Sequence, residues 1–359
     1  MKIAVIPGED AAPEAMTPSV DILSALVPEI EWLYPIVGDA AVEQFGNPFP
    51  AEAKALIDSA AATYFGSTNG ASSAALFYLR WGKGTYANVR PALYYPGAVT
   101  PLADPNDIDF VVVRENLEDL YMGVEGDLEE LGGMNFHRRY ANESVNDMGE
   151  GKYALKAITR EGTDRVVRYS FELAQRRAEK LGRPGKLTVT AKYNILPKTD
   201  GFFRRVAIDI APDYPDVEFE VCLADAFLCR MVMDPRAFDV VVMPNLYGDL
   251  FSDGAAGLVG GLGLAPSGCY GKDYAYFESA HGSAPDIAGK NIINPSATLL
   301  SGAMLLDYVG HAKEAAVLEA AIKQVYAEGK ALTPDQGGTA STTEFCDAVM
   351  ASIEHGKHG

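Results

Sequence analysis

Two aspartates four residues apart, Asp249 and Asp253 in the run Asn245-Leu-Tyr-Gly-Asp-Leu-Phe-Ser-Asp253, are the side chains here best suited to chemistry. The i, i+4 spacing sets both carboxylates on one face of a helix, where their oxygens suit a hard divalent cation. The preceding run, Phe238-Asp-Val-Val-Val-Met-Pro244, reads as a short buried strand. The acids would then follow a strand's carboxyl end, where open α/β sheets bind ligands. A solvated helical face also carries such pairs, so the surrounding chain has to decide.

Arginine supplies the second group. Arg80, Arg90 in Ala87-Asn-Val-Arg-Pro91 and Arg114 in Val111-Val-Val-Arg-Glu-Asn116 are planar cations suited to bidentate carboxylate recognition, although each taken singly also fits a surface ion pair. Arg114 follows an apolar run and needs an anion to meet it, because burial without a partner is costly. Tyr121 and Lys192, the latter at the end of the apolar run 187–191, are candidates for proton transfer. No Gly-x-Gly-x-x-Gly follows the first strand and no Gly-x-x-x-x-Gly-Lys-Ser/Thr occurs, so neither an ordinary Rossmann site nor a P-loop is supported. Small residues gather instead in Gly257-Leu-Val-Gly-Gly-Leu-Gly263 and His281-Gly-Ser-Ala-Pro-Asp-Ile-Ala-Gly289. There backbone amides can approach a pyrophosphate, and Asp286 can accept from ribose hydroxyls while repelling a 2′-phosphate. His281 fits a packing role equally well.

These groups need elements to position them. Strand-like runs at 3–6, 110–113, 187–191, 219–223 and 240–243 alternate with helical patterns at 15–26, 160–181, about 294–310 and 315–327, which indicates α/β layers. The helix at 160–181 ends at the stop signal Gly182-Arg-Pro-Gly185. The polar stretch 126–156 has no clear period and reads as a projecting arm, a hairpin or a plain loop.

A chain of 359 residues is long enough for two cores, and 48% hydrophobic with 22% charged residues excludes disordered and fibrous classes. The net charge of −19 repels phosphate backbones and anionic lipid, so no nucleic-acid or membrane partner is expected. Cys222, Cys229, Cys269 and Cys346 form neither a CxxC pair nor a disulfide framework and are read as reduced. The start, Met1-Lys-Ile-Ala-Val-Ile-Pro7, reads as a strand rather than a signal peptide, and no run reaches transmembrane length, so the cytoplasm is the expected location.

Leu79-Arg80, Tyr86-Ala-Asn-Val-Arg-Pro91, Arg114-Glu-Asn116, Tyr121, Lys192-Tyr-Asn194, Asp200-Gly-Phe-Phe203, the 245–253 run and the 278–289 run come in the order seen in β-decarboxylating dehydrogenases. Over nearly its whole length the chain resembles the isocitrate/3-isopropylmalate dehydrogenase family, which includes tartrate/D-malate and homoisocitrate enzymes. The resemblance implies an α/β, two-domain fold with a non-Rossmann NAD site. Residues 1–95 plus 261–359 would form the cofactor domain, and 96–260 the substrate, metal and dimerisation domain with its arm at about 126–156. It also implies roles. Arg80, Arg90 and Arg114 would hold the malate part of a hydroxy acid, Asn194 would also bind the substrate, and Ser73, Leu76 and Phe77 would face its C3 substituent. Asp225, Asp249 and Asp253 would bind Mg²⁺ or Mn²⁺, Lys192 would be the base near C2, and Tyr121 the acid at C3. NAD would meet Glu278, His281, Gly282, Ser283, Ala284, Pro285, Asp286, Ile287 and Asn294. Lys192 and Asp225 would reach a neighbouring subunit's site, which implies a homodimer or a higher oligomer.

Two departures from the family pattern stand out. Gly-Asp-Gly-Ile-Gly-Pro-Glu after the first strand is replaced by Gly8-Glu-Asp-Ala-Ala-Pro-Glu14, with two glycines lost. In the helix before Arg80, Ser73 stands where isopropylmalate enzymes carry Glu, and Ala74 and Leu76 stand where isocitrate enzymes carry Ser and Asn. The expectation is an NAD- and Mg²⁺/Mn²⁺-dependent oxidative decarboxylation of a 3-substituted (2R)-malate, with 3-isopropylmalate-like substrates first. Isocitrate and tartrate/D-malate follow, and a catalytically silent regulatory subunit is the reading from another class.

Overall fold

The computed structural model describes residues 1–141 and 143–356. In chain order its strands are β1 (Lys2–Ile6), β2 (Glu31–Leu33), β3 (Ala62–Phe65), β4 (Ala87–Leu93), β5 (Asp109–Glu115), β6 (Glu125–Asp127), β7 (Lys152–Ala154), β8 (Gly185–Ala191), β9 (Val217–Leu223), β10 (Val240–Met243), β11 (Pro266–Tyr270) and β12 (Ala275–Ser279). Ten of them form one sheet in the order β2-β1-β3-β12-β11-β4-β5-β10-β8-β9. Both flanks are parallel, and β12, β11, β4 and β5 meet antiparallel in the middle. Parallel strands need helical cover on both faces, and apolar clusters pack around each flank. Ile3, Tyr64, Phe277, Leu299, Leu318 and Phe345 belong to one cluster, and Val113, Val167, Phe171, Val189 and Val242 to another.

The helix Arg160–Leu181 shows how local sequence sets an element. Thr159 Oγ1 accepts from Gly162 N at its start, Val166, Val167, Phe171 and Ala174 form its buried stripe, and Gly182 ends it in the left-handed region at φ 62°. The apolar runs announce β1, β5, β8, β9 and β10, and their observed ends differ from the sequence reading by at most two residues. Two of the middle strands, β4 and β11, carry no such signal. β4 contains Asn88, Arg90 and Pro91, and β11 reads Pro-Ser-Gly-Cys-Tyr, so neither looks like a buried strand until its neighbours are in place.

The polar stretch 126–156 is built on a hairpin, one of the forms its sequence allows. β6 and β7 pair antiparallel, and beyond them the chain makes short 3₁₀ turns at Leu128–Leu131 and Val145–Met148. Among the described residues, no helix is long and apolar enough to cross a membrane.

Candidate active site

β5 carries Arg114 within the strand itself, not just after it as the apolar run suggested, and the residue is only 2% exposed. Its register partner on β10 is Met243. Two residues later, after Pro244, the chain enters the helix Asn245–Val259, so the first turns of that helix rise beside the arginine. Arg114 Nε donates to Asn245 Oδ1 at 2.8 Å, and its Nη1 donates to Asp249 Oδ1. Gly248 makes this approach possible, because a Cβ there would lie 2.5 Å from Arg114 Cβ and 2.9 Å from its Cα.

Two further elements reach the same helix, and a third brings the charge of Arg80 near Asp249 and Arg114. From β4, Arg90 Nη1 donates to Ser252 Oγ (2.8 Å), Asp253 Oδ1 (3.2 Å) and Asp249 Oδ1 (3.4 Å). From the 3₁₀ turn Leu120–Met122, the Tyr121 hydroxyl donates to Asp249 Oδ2 at 2.5 Å, and its ring lies 4.6 Å from the Arg114 guanidinium. Arg80 sits in a π-helical turn, Tyr78–Gly82, closed by Lys83 N donating to Tyr78 O at 2.9 Å. Such turns recur at functional sites because the extra residue re-aims a side chain.

The charges are unevenly matched. Burial pushes the Asp249 carboxyl up, but Arg114, Tyr121 and Arg90 outweigh it and hold it below the usual carboxylate range. Burial raises Asp253, and only Arg90 and Arg114 oppose it. Arg114 itself is pushed down, by burial first and by the Arg90 cation second, with Asp249 not fully compensating. The two ends of the Arg114–Asp249 pair therefore disagree in sign, because Arg114 also feels two other arginines. The cluster still has cationic capacity to spend on a further anion, and Arg114 Nη2 is buried with no hydrogen-bond partner. Burial and then Asp249 raise Tyr121, which keeps its hydroxyl proton at neutral pH. Glu278, buried on β12, is raised by burial despite the field of Arg80, Arg90 and Arg114.

Lys192 and Asp225 form a pair of their own, with 2.7 Å between Nζ and Oδ1. Asp225 opens the helix Ala224–Met233, and Lys192 lowers its pKa. Among the described residues no group of three or more acids, histidines or cysteines is placed to hold a metal within this one chain. Asp249 and Asp253 do fit half of a hard-cation site, being oxygen donors on one helical face with Asp253 about half exposed. Asp225 is not grouped with them among the described residues of this chain. Asn194 is exposed in the turn after Lys192.

At the start of the second glycine-rich run, His281, Gly282, Ala284, Ile287 and Asn294 line a cavity of about 360 Å³. Its other walls are Gly263, Ile292, Ile293 and Asp335. His281 is held neutral by burial, and its Nε2 is buried without a partner, which leaves one donor or acceptor for a bound group. These features fit the adenosine end of a dinucleotide. Pro285, Asp286 and Ile287 form a 3₁₀ turn at the rim with Asp286 exposed. Ser283 is tied inward, its Oγ donating to Asp10 Oδ2 at 2.6 Å. Asp10 stands at one lost glycine and adopts φ 54°, a left-handed conformation that aspartate tolerates better than most residues. Ser73 and Leu76 are half-buried, with Leu76 resting on the core, while Phe77 is open to solvent.

Sequence reasoning passed over several residues that line these sites. Asp335, in Pro334-Asp-Gln336, binds Asn294 Nδ2 at 2.9 Å, and only its turn setting could have flagged it. Trp81 packs edge-on against Phe77 with ring centres 5.4 Å apart, lies 5.5 Å from the Arg80 guanidinium and donates from Nε1 to Leu117 O at 3.1 Å. Its place directly after Arg80 was the available signal.

The family model for isocitrate/isopropylmalate dehydrogenase matches residues 2–349. A 3-isopropylmalate dehydrogenase of Archaeoglobus fulgidus is 40% identical, over 98% of this chain and 99% of the relative. An isocitrate/homoisocitrate dehydrogenase of Thermus thermophilus is 38% identical, over 98% of both. The crystal structure of an isocitrate dehydrogenase from Methylococcus capsulatus superposes with a TM-score of 0.82 at 35% identity, covering 98% of this chain and 99% of that one. The chain belongs to the isocitrate/isopropylmalate dehydrogenase family and is a decarboxylating hydroxy-acid dehydrogenase.

Proposed function

We propose that this protein oxidises and decarboxylates a 3-substituted (2R)-malate with an apolar C3 group, using NAD and Mg²⁺ or Mn²⁺. The observation that carries the reading is the buried three-arginine cluster, in which Arg114 Nη2 has no partner although Asp249 and Asn245 occupy its other nitrogens. A dicarboxylate would supply the missing anions, and planar guanidinium groups would fix its orientation. Asp249 and Asp253, with Asp225 of a second copy, would hold the cation. Bound NAD would supply the hydride acceptor, and the bound cation a charge that stabilises the oxygen at C2.

The chain's own groups then divide the work. Arg80, Arg90 and Arg114 grip the two carboxylates and hold C2 in place. Lys192, contributed across a dimer interface, accepts the C2 hydroxyl proton. Once CO₂ has left, Tyr121, whose hydroxyl keeps its proton at neutral pH, delivers that proton to C3. The cavity at His281 and Asn294 receives the adenosine, and Asp286 at its rim disfavours a 2′-phosphate. The exposed Phe77 offers no charge to a further carboxylate on the C3 substituent. We also read the sheet as two units, 1–95 with 261–359 and 96–260, meeting at this site.

The experiment is NADH formation with Mn²⁺ across a panel of 3-substituted malates, with CO₂ measured in parallel. One CO₂ per NADH supports the reading. Folded protein that turns over no malate, with or without Mn²⁺, would return the silent regulatory subunit.

A further inference from the structure

Lys156 closes a buried ion triad that none of the assignments above uses. It follows β7 at the foot of the hairpin, with its ammonium 2.9 Å from Asp200 Oδ2 and 3.2 Å from Asp119 Oδ1. Both carboxylates are shut off from solvent, at 0% and 1% exposure, and the ammonium lies 4.7 Å from the centre of the Tyr247 ring. Buried acids persist only where they are paired and hydrogen-bonded, so the lysine is what allows both to be there.

Each carboxylate has a second task. Asp119 Oδ2 accepts from Leu246 N at 3.0 Å, in the first turn of the helix that carries Asp249 and Asp253. Asp119 also takes φ 68°, a strained conformation two residues before Tyr121, and its N–H donates to Ala157 O at 2.9 Å. Asp200 Oδ1 accepts from the backbone N of Lys192 at 2.9 Å, while its Oδ2 also accepts from Thr199 Oγ1 at 3.0 Å. One ammonium thus stands between the turn to Tyr121, the start of the acidic helix and the backbone of Lys192.

We propose that Lys156 is a positioning residue that sets the Tyr121 turn and the Lys192 backbone together, so that the foot of the hairpin and the two proton-transfer groups behave as one unit. The functional half of this rests on the roles assigned to Tyr121 and Lys192, whereas the structural half stands on the triad alone. Removing the ammonium leaves two buried carboxylates facing each other, and both segments must give way. Removing one carboxylate should release only its own segment.

The test is amide hydrogen exchange of the full-length protein over 115–122 and 191–200, with steady-state kinetics alongside. Lys156→Met should speed exchange in both segments and lower kcat at least about tenfold, while KM moves by less than about threefold. Lys156→Arg should restore slow exchange in both, and Asp119→Asn should loosen 115–122 alone. If Lys156→Met does not fold, Lys156→Gln, which keeps an N–H donor, carries the same comparison. Loosening of only one segment, or of neither, overturns the proposal, as does normal kcat in a variant that is merely less stable. If the wild type turns over no hydroxy acid, the functional reading fails while the exchange pattern still decides the coupling.

Discussion

Gly248→Ala is the sharpest perturbation of the site, because it adds one methyl group where strand and helix touch. The new carbon would meet Arg114 Cβ at 2.5 Å, Cγ at 2.6 Å and Cα at 2.9 Å. Ordinary carbon contacts are ~3.5–4.0 Å, so the helix must back away from β5 by roughly 1 Å. Arg114 is fixed inside a central strand and cannot retreat, so the movement falls on Asn245 and Asp249. Overpacking of this kind costs ~1–3 kcal/mol of stability, and a misplacement of ~1 Å among reacting groups costs about 10² in rate. The assay is kcat/KM for NADH formation with Mn²⁺, set beside thermal unfolding of the same preparation. A fall of about 10² in kcat/KM with a modest loss of stability is the expected result. Activity within about threefold of wild type would refute the claim that this close approach positions the acids.

Three other perturbations address separate parts of the account. Lys192→Met should abolish hydride transfer from the hydroxy acid, whereas Tyr121→Phe should still form NADH slowly and release product poorly; identical single-turnover NADH traces would contradict the division of roles. NAD should be preferred over NADP by a factor on the order of 10², ~3 kcal/mol, with Asp286 facing the 2′-phosphate, and equal kcat/KM for the two would remove that assignment. Burial lifts Glu115, at the end of β5, from 4.5 to about 7, so the folded state binds more protons than the unfolded state between those values and stability falls as pH rises through that window. Glu115→Gln should flatten this decline, by on the order of 3 kcal/mol in denaturant titrations between about pH 5 and 8, and an unchanged slope would show that the carboxyl is not the source.

Where local signals agree, the sequence was readable to the residue. The helix Arg160–Leu181 has an N-cap, a clean apolar stripe and a glycine stop, and β10 is four buried apolar residues between an acid and a proline. The antiparallel centre of the sheet was opaque, because Arg90 and Pro91 in β4 and Gly268 in β11 are tolerated only through cross-strand neighbours distant in sequence. At the site, residue type and order singled out Arg80, Arg90, Arg114, Tyr121, Asp249 and Asp253, and these six lie on elements that converge. Spacing could not reveal that Asp249 already accepts from Arg114 and Tyr121, nor that Lys192 and Asp225 pair apart from the arginines. Trp81, Asp335 and Lys156 went unremarked because their roles arise from contacts across the fold: Leu117, Asn294 and the pair Asp119 and Asp200 are not their sequence neighbours.

The most direct test of the proposed reaction is kcat/KM measured with NAD and Mn²⁺ for 3-isopropylmalate, isocitrate and unsubstituted D-malate on one preparation. With Phe77 and Trp81 open beside Arg80 and Leu76 against the core, the apolar substituent should be favoured. Discrimination from one apolar group is modest, ~1–3 kcal/mol, so the predicted result is 3-isopropylmalate ahead of isocitrate with some turnover of the others. Isocitrate exceeding both other substrates by more than about tenfold, ~1.4 kcal/mol, would contradict the account.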